Sequence, residues 1–234
     1  VEFKDVSLMY AGSSENTIEG LNLKVLKGQT IGVIGGTGSG KTSLINMIPR
    51  FYDATKGEVL VNGTNVKEYT EEGLRNKIGI VPQKAVLFKG TIRSNLLWGN
   101  ESATENDLME ALKQAQSYDF VMQKENGIDS VVEQNGRNFS GGQRQRLTIA
   151  RALVRKPEIL ILDDSSSALD YTTDANLRKE IAKLKDMTVF IVSQRTASIM
   201  DADQIVVLDD GNIMGIGTHK ELLENCEVYK EICE

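Results

Sequence analysis

Residues Gly35-Gly36-Thr37-Gly38-Ser39-Gly40-Lys41-Thr42 constrain this chain more than any other stretch. They fit the pattern G-x-x-x-x-G-K-[ST] and follow the apolar run Thr30-Ile-Gly-Val-Ile34. The pattern predicts a buried strand, a glycine-rich turn and a helix that opens at Lys41. Such a turn aims successive backbone N–H groups and a helix N-terminus at one spot, which suits phosphate. Lys41 would reach the β- and γ-phosphates, and the Thr42 hydroxyl would hold Mg²⁺. Nucleotide binding follows from this segment before any other is read.

The rest of the chain predicts what surrounds that turn. Val1–Leu8 and Ile18–Leu26 alternate apolar and polar residues and read as antiparallel strands. Glu58–Val61, Asn62-Gly63 and Asn65–Val66 read as a tight hairpin. Ile78–Val81 is a short strand that stops at Pro82. From Thr91 to Lys124 the pattern turns helical, and Thr104-Glu-Asn-Asp107 resembles a capping box opening a helix over Leu108–Gln116. Further helices are expected over Gln143–Arg155, Asp174–Lys185 and from His219 towards Asn225. Strands are expected at Ile159–Leu162, Thr188–Val192, Gln204–Leu208 and Asn212–Ile216. Strands alternating with helices imply an α/β fold with a mostly parallel sheet. The helical block, residues 84–156, reads as a lobe inserted into a core made of 1–83 and 157–234.

Composition narrows the partners. The net charge of −6 argues against a nucleic-acid surface, which needs a basic footprint. No run approaches the ~20 apolar residues of a membrane span. The first residue is Val1, so a domain of a longer polypeptide is expected. Cys226 and Cys233 sit seven apart in one expected terminal helix, and neither a disulfide nor a metal site is expected of them.

Two further segments carry chemistry. A phosphate loop needs a carboxylate for Mg²⁺ at the end of a neighbouring apolar strand, and Asp163 after Ile159–Leu162 fits. An Asp after a buried strand also fits a helix cap, and the phosphate loop favours the metal reading. Asn138-Phe-Ser-Gly-Gly-Gln-Arg-Gln-Arg146 is the more specific segment. Ser140 reads as an N-cap, and Gly141 and Gly142 let a phosphate approach the backbone. The bland alternative is a capped amphipathic helix whose Arg144, Arg151 and Arg155 form a solvated face. The functional reading is a second phosphate site at a helix N-terminus. Two such binders in one chain suggest a nucleotide shared between two copies or partners.

At this point the sequence resembles the ATP-binding-cassette (ABC) transporter nucleotide-binding domains over essentially its whole length. Phe139-Ser140-Gly141-Gly142-Gln143 is similar to their signature motif, Ser167-Ala-Leu-Asp170 to their D-loop, and Val81-Pro-Gln83 to their Q-loop. The resemblance implies a P-loop NTPase core, an N-terminal antiparallel β subdomain and an inserted helical subdomain. It implies ATP and Mg²⁺ as ligands, with Thr42, Gln83 and Asp163 at the metal, partly through water. It places Tyr10 on the adenine and adds Ser43 to the nucleotide-binding residues. It also implies that the signature of one domain completes the ATP site of a second, head-to-tail partner. Leu87–Asn95 and Glu133-Gln-Asn-Gly136 resemble segments of exporters, which implies transmembrane domains in the same polypeptide and a place at the cytoplasmic face of a membrane.

Two positions depart from the family pattern. Asp164 stands where the catalytic Glu belongs, one methylene short. Gln194, in Val192-Ser-Gln-Arg195, stands where the switch His belongs. The single histidine, His219, lies in a separate C-terminal segment and is assigned no catalytic role. Asp164, Gln194 and Gln83 are the catalytic candidates. Losses on the P-loop side beside an intact signature resemble one subunit of a heterodimeric multidrug-type exporter whose own site is degenerate. The alternatives are a homodimer in which Asp164 is an adequate base, and a soluble ABC ATPase not tied to transport.

Overall fold

A computed structural model describes all 234 residues. β1 (Glu2–Leu8), β2 (Ile18–Lys24) and β3 (Thr30–Gly35) precede α1 (Lys41–Asn46). Next come β4 (Lys56–Val61), β5 (Thr64–Asn65), α2 (Glu71–Arg75) and β6 (Ile78–Val81). The middle of the chain holds β7 (Gly90–Thr91), α3 (Ile92–Leu97), α4 (Glu105–Gln114), α5 (Tyr118–Met122), β8 (Val131–Val132) and α6 (Gly141–Val154). β9 (Ile159–Asp163), α7 (Tyr171–Ala182), β10 (Thr188–Val192), β11 (Gln204–Asp209), β12 (Asn212–Gly217), α8 (His219–Asn225) and α9 (Glu227–Cys233) complete it. Two compact units result: one is Val1–Ile78 with Lys185–Glu234, the other Gly79–Leu184.

The first unit holds an antiparallel sheet in the order β2-β1-β4-β5. Its hairpin turns at Asn62 and Gly63, whose φ angles of 52° and 77° suit a type I′ turn. The same unit holds β12, β11, β3 and β10 side by side in that order. β3 is parallel to both β10 and β11, and β12 returns antiparallel. Every residue of β10 is buried, as expected of a parallel strand covered on both faces. In the second unit β9 lies beside β6, β7 pairs with β8, and α6 packs against α3 and α4. The architecture is the expected α/β core of P-loop NTPase type, with an N-terminal antiparallel sheet and an inserted helical subdomain, α3 to α6.

Several expectations are corrected. α6 opens at Gly141 rather than Gln143, because Ser140 is its N-cap. α7 opens at Tyr171 rather than Asp174, because Asp170 caps it. The helix expected from His219 towards Asn225 is α8, and Cys226, with extended φ of −122° and ψ of 105°, separates it from α9, which ends at Cys233. Both cysteines are free. The expectation of transmembrane domains in the same polypeptide is overturned for this chain: no helix is long and apolar enough to cross a membrane.

Candidate active site

The first unit builds a phosphate loop from β3 into α1. Two of its glycines are required by close approach. A Cβ on Gly35 would lie 2.2 Å from the Leu208 carbonyl oxygen, and one on Gly40 would lie 2.6 Å from Ile18 Cδ1. Beside Gly36 and Gly38, by contrast, nothing lies within 4 Å of where a Cβ would be, so one side of the loop is open. Gly36, Thr37 and Gly38 are exposed, whereas Ser39 and Gly40 are buried. Gly40 is the N-cap of α1 with φ 102°, and no side chain caps that helix. A helix N-terminus without a side-chain cap suits an anion. Lys41 Nζ donates to the Gly35 and Gly36 carbonyls, both at 2.7 Å, so the ammonium lies across the loop. Thr42, next along, is exposed. These residues fit a nucleotide triphosphate.

The adenine candidate is held in place by the same helix. The Tyr10 hydroxyl shares a hydrogen bond of 2.6 Å with Ser43 Oγ. The Tyr52 ring packs against Tyr10 at 4.8 Å between centroids, at 82°. On the other side of β3, β10 runs in register with Val192 opposite Val33. The Ser193 N–H donates to the Val33 carbonyl at 3.2 Å. Gln194 thus leaves the sheet at the same edge as the phosphate loop, and its side chain is exposed. Ser193 Oγ accepts from the Arg195 N–H at 2.9 Å and fixes that turn.

The second unit groups the carboxylates with the signature segment. β9 is apolar and buried up to Leu162, then delivers Asp163, which is half-buried. Asp164 follows with φ 47°, in the left-handed region. Asp visits that region more readily than residues with longer side chains, because its short polar side chain bonds locally. Gln83 Nε2 donates to Asp164 Oδ2 at 3.2 Å, which brings two catalytic candidates together. Ser167 Oγ donates to the Asp164 carbonyl at 2.9 Å. Asp170 accepts from the Thr173 N–H at 2.8 Å and from its hydroxyl at 2.7 Å. Those bonds hold its carboxyl below the usual range. No group of three or more His, Cys, Asp or Glu side chains is arranged to cage a metal.

Ser140 and Gln143 form a reciprocal capping box. Gln143 N donates to Ser140 Oγ at 3.2 Å, and Ser140 N donates to Gln143 Oε1 at 3.0 Å. Ser140 and Gly141 are exposed, while Phe139 is buried with the Lys124 ammonium 4.5 Å from its ring centroid. Phe139 anchors the turn that presents Ser140. A Cβ on Gly142 would lie 3.1 Å from the Ala168 carbonyl, so the signature sits tight against the segment that leads to Asp170. The expected basic face of α6 is only partly solvated. Arg144 Nη1 donates to the Phe139 carbonyl at 2.8 Å, and Arg151 Nη2 donates to the Val86 carbonyl at 3.0 Å. Burial pulls the Arg151 pKa down.

Sequence reasoning missed Tyr52 and the burial of Arg151 and Gln145. Only for Tyr52 was there a signal, an aromatic pair Phe51-Tyr52 soon after α1.

Comparison with known proteins decides the family. The ABC transporter family model matches residues 18–167, from β2 through the signature and both carboxylates. This chain belongs to the ABC transporter family. The ABC domain is 43% identical, over all 234 of its residues, to YfiB of Bacillus subtilis, an uncharacterized ABC transporter ATP-binding protein. It superimposes on a bacterial Atm1-family ABC exporter with ATP bound at a TM-score of 0.94 and 34% identity, over 99% of its own length. It covers 41% of each of those chains. Family and fold together support an ABC-type ATPase activity for the domain.

Proposed function

We propose that this ABC domain binds ATP at Gly35–Thr42, with Tyr10 on the adenine and Ser43 beside the phosphates, and hydrolyses it with Asp164 as general base. A second ABC nucleotide-binding domain is its partner, and Ser140–Gln143 complete that partner's ATP site. The hydrolysis powers export of a substrate across a membrane, with the domain at the cytoplasmic face. Mg²⁺, when bound, would be held by Thr42, Asp163 and Gln83 and would offset charge on the phosphates. The observation that carries the hydrolytic reading is the bond from Gln83 Nε2 to Asp164 Oδ2, 3.2 Å long. It sets the Asp164 carboxylate beside the Gln83 amide, the two polar side chains expected around an attacking water. The positive φ at residue 164 supports Asp as a base suited to this backbone rather than a crippled Glu.

A homodimer of such domains is therefore the favoured assembly. Gln194 favours a second reading, in which the partner is a different subunit and this chain's own site turns over slowly. An amide hydrogen-bonds a phosphate, but it carries neither the charge nor the proton of an imidazole. Steady-state ATP hydrolysis by the purified chain separates the two. Under the homodimer reading, specific activity rises with protein concentration, and Asp164→Asn lowers it by about 10²–10⁴-fold. If the chain is silent at every concentration and Asp164→Glu with Gln194→His switches it on, the degenerate reading holds instead.

A further inference from the structure

Two exposed aromatics, Phe51 and Tyr52, follow α1 and are 49% and 44% exposed, so core packing does not account for them. The turn that carries them is nevertheless tightly held. Arg75, the last residue of α2, donates from Nε to the Pro49 carbonyl and from Nη2 to the Arg50 carbonyl, each at 3.2 Å. Its guanidinium lies 5.1 Å from the Phe51 ring centroid. Arg50, with φ 60°, is itself tied to Asp53 through two bonds of 2.7 and 3.3 Å. A turn clamped at two carbonyls by one planar fork cannot slide. It delivers the Tyr52 ring edge-to-face onto Tyr10 at 4.8 Å, the short end of the range for such pairs, about 4.5–7 Å. No base fits between rings that close. A base stacks on Tyr10 only if it leaves the contact with Tyr52 intact.

We infer that Tyr52 is a positioning residue for the base end of the nucleotide site: it pins the Tyr10 ring, while Ser43 pins the Tyr10 hydroxyl. The inference rests on the proposed stacking of adenine on Tyr10. Tyr10 is thereby fixed at two points before nucleotide arrives, and its ordering is not charged against ATP binding. Because Ser43 follows Thr42 in α1, the base platform and the phosphate loop share one rigid element.

The test is calorimetric titration of the 234-residue chain with two probes, Mg-ATP and Mg-tripolyphosphate, which has phosphates and no base. Tyr52→Leu is expected to weaken ATP binding by about 3- to 10-fold and to leave tripolyphosphate binding unchanged. Tyr52→Phe, which keeps the ring, should bind ATP like the wild type. In a Tyr10→Ala background Tyr52→Leu should add nothing, because the two act as one unit. Equal loss for both probes would make Tyr52 a general structural residue and overturn the inference. Wild-type ATP affinity in Tyr52→Leu, with Tyr10→Ala weakened for ATP alone, would overturn it while leaving the adenine reading standing. If Tyr10→Ala binds ATP like the wild type, the adenine reading and the inference fall together.

Discussion

The two glycine-rich turns of this chain open their helices in contrasting ways. α1 begins at Gly40, in the left-handed region and with no side-chain cap. α6 begins at Ser140, in extended backbone, and Ser140 and Gln143 cap each other. The first helix is six residues long and has no side-chain cap. The second is fourteen long, and its leading groups are partly satisfied by its own side chains. Under the proposed function a phosphate caps α1, whereas α6 already carries a cap of its own side chains. What Ser140 still offers a ligand is its hydroxyl proton, since its oxygen already accepts from Gln143. Under the proposed function, one turn is finished by the domain's own nucleotide, and the other is presented, already formed, to a partner's.

The largest expected effect falls on the open turn. Lys41 holds the Gly35 and Gly36 carbonyls in place of phosphate oxygens. Hydrogen bonds to charged groups contribute about 1.5–3 kcal/mol each, so Lys41→Met should weaken Mg-ATP binding by roughly 10- to 100-fold. Equilibrium titration checks this. The same measurement on Ser140→Ala should show wild-type affinity if, as proposed, the capped turn does not serve this chain's own nucleotide. Comparable losses in both variants would erase the distinction between the turns.

The capped turn should instead register in stability. Removing a Ser N-cap destabilises a helix by about 1 kcal/mol. For a domain of this size that corresponds to a fall in Tm of roughly 2–4 °C for Ser140→Ala. Scanning calorimetry without nucleotide reads it. A drop that widens on adding Mg-ATP would mean that the signature turn binds the chain's own nucleotide after all.

Both turns were legible in the sequence because their signals are local. Glycine spacing, a lysine and a hydroxyl specify the phosphate loop. A Ser followed three residues later by Gln specifies the cap. What stayed hidden depends on residues distant along the chain. Tyr52 meets Tyr10 only because Arg75 clamps the turn between them. Arg151 lies on the polar stripe of α6, yet it is half-buried because its long stem reaches the Val86 carbonyl. The start of α7 was misplaced for a different reason. Asp170 and Thr173 form a local cap, but the D-loop resemblance drew attention to Asp170 as a site residue rather than as a helix start.

A third helix sharpens the comparison by the chemistry of its cap. α4 carries the same reciprocal box as α6, with Thr104 and Asp107 in place of Ser140 and Gln143. Its second member is a carboxylate and can titrate, whereas the Gln143 amide cannot. Asp107 is held down to about 2 from its ordinary 3.8, first by the Lys156 ammonium and then by its bonds with Thr104. The folded value lies below the unfolded one, so this group's contribution is fully present above the unfolded value and is lost as pH falls towards 2. The Lys156 ammonium is exposed to water and Asp107 only half-buried, which keeps the effect small. Thermal midpoints measured across this acid range should fall for the wild type. For Asp107→Asn they should begin lower at neutral pH and converge with the wild type at the acid end. Ser140→Ala should instead stay displaced by the same amount at every pH. If Asp107→Asn also runs parallel to the wild type, the carboxylate does not titrate with folding, and the two capping boxes are equivalent despite their chemistry.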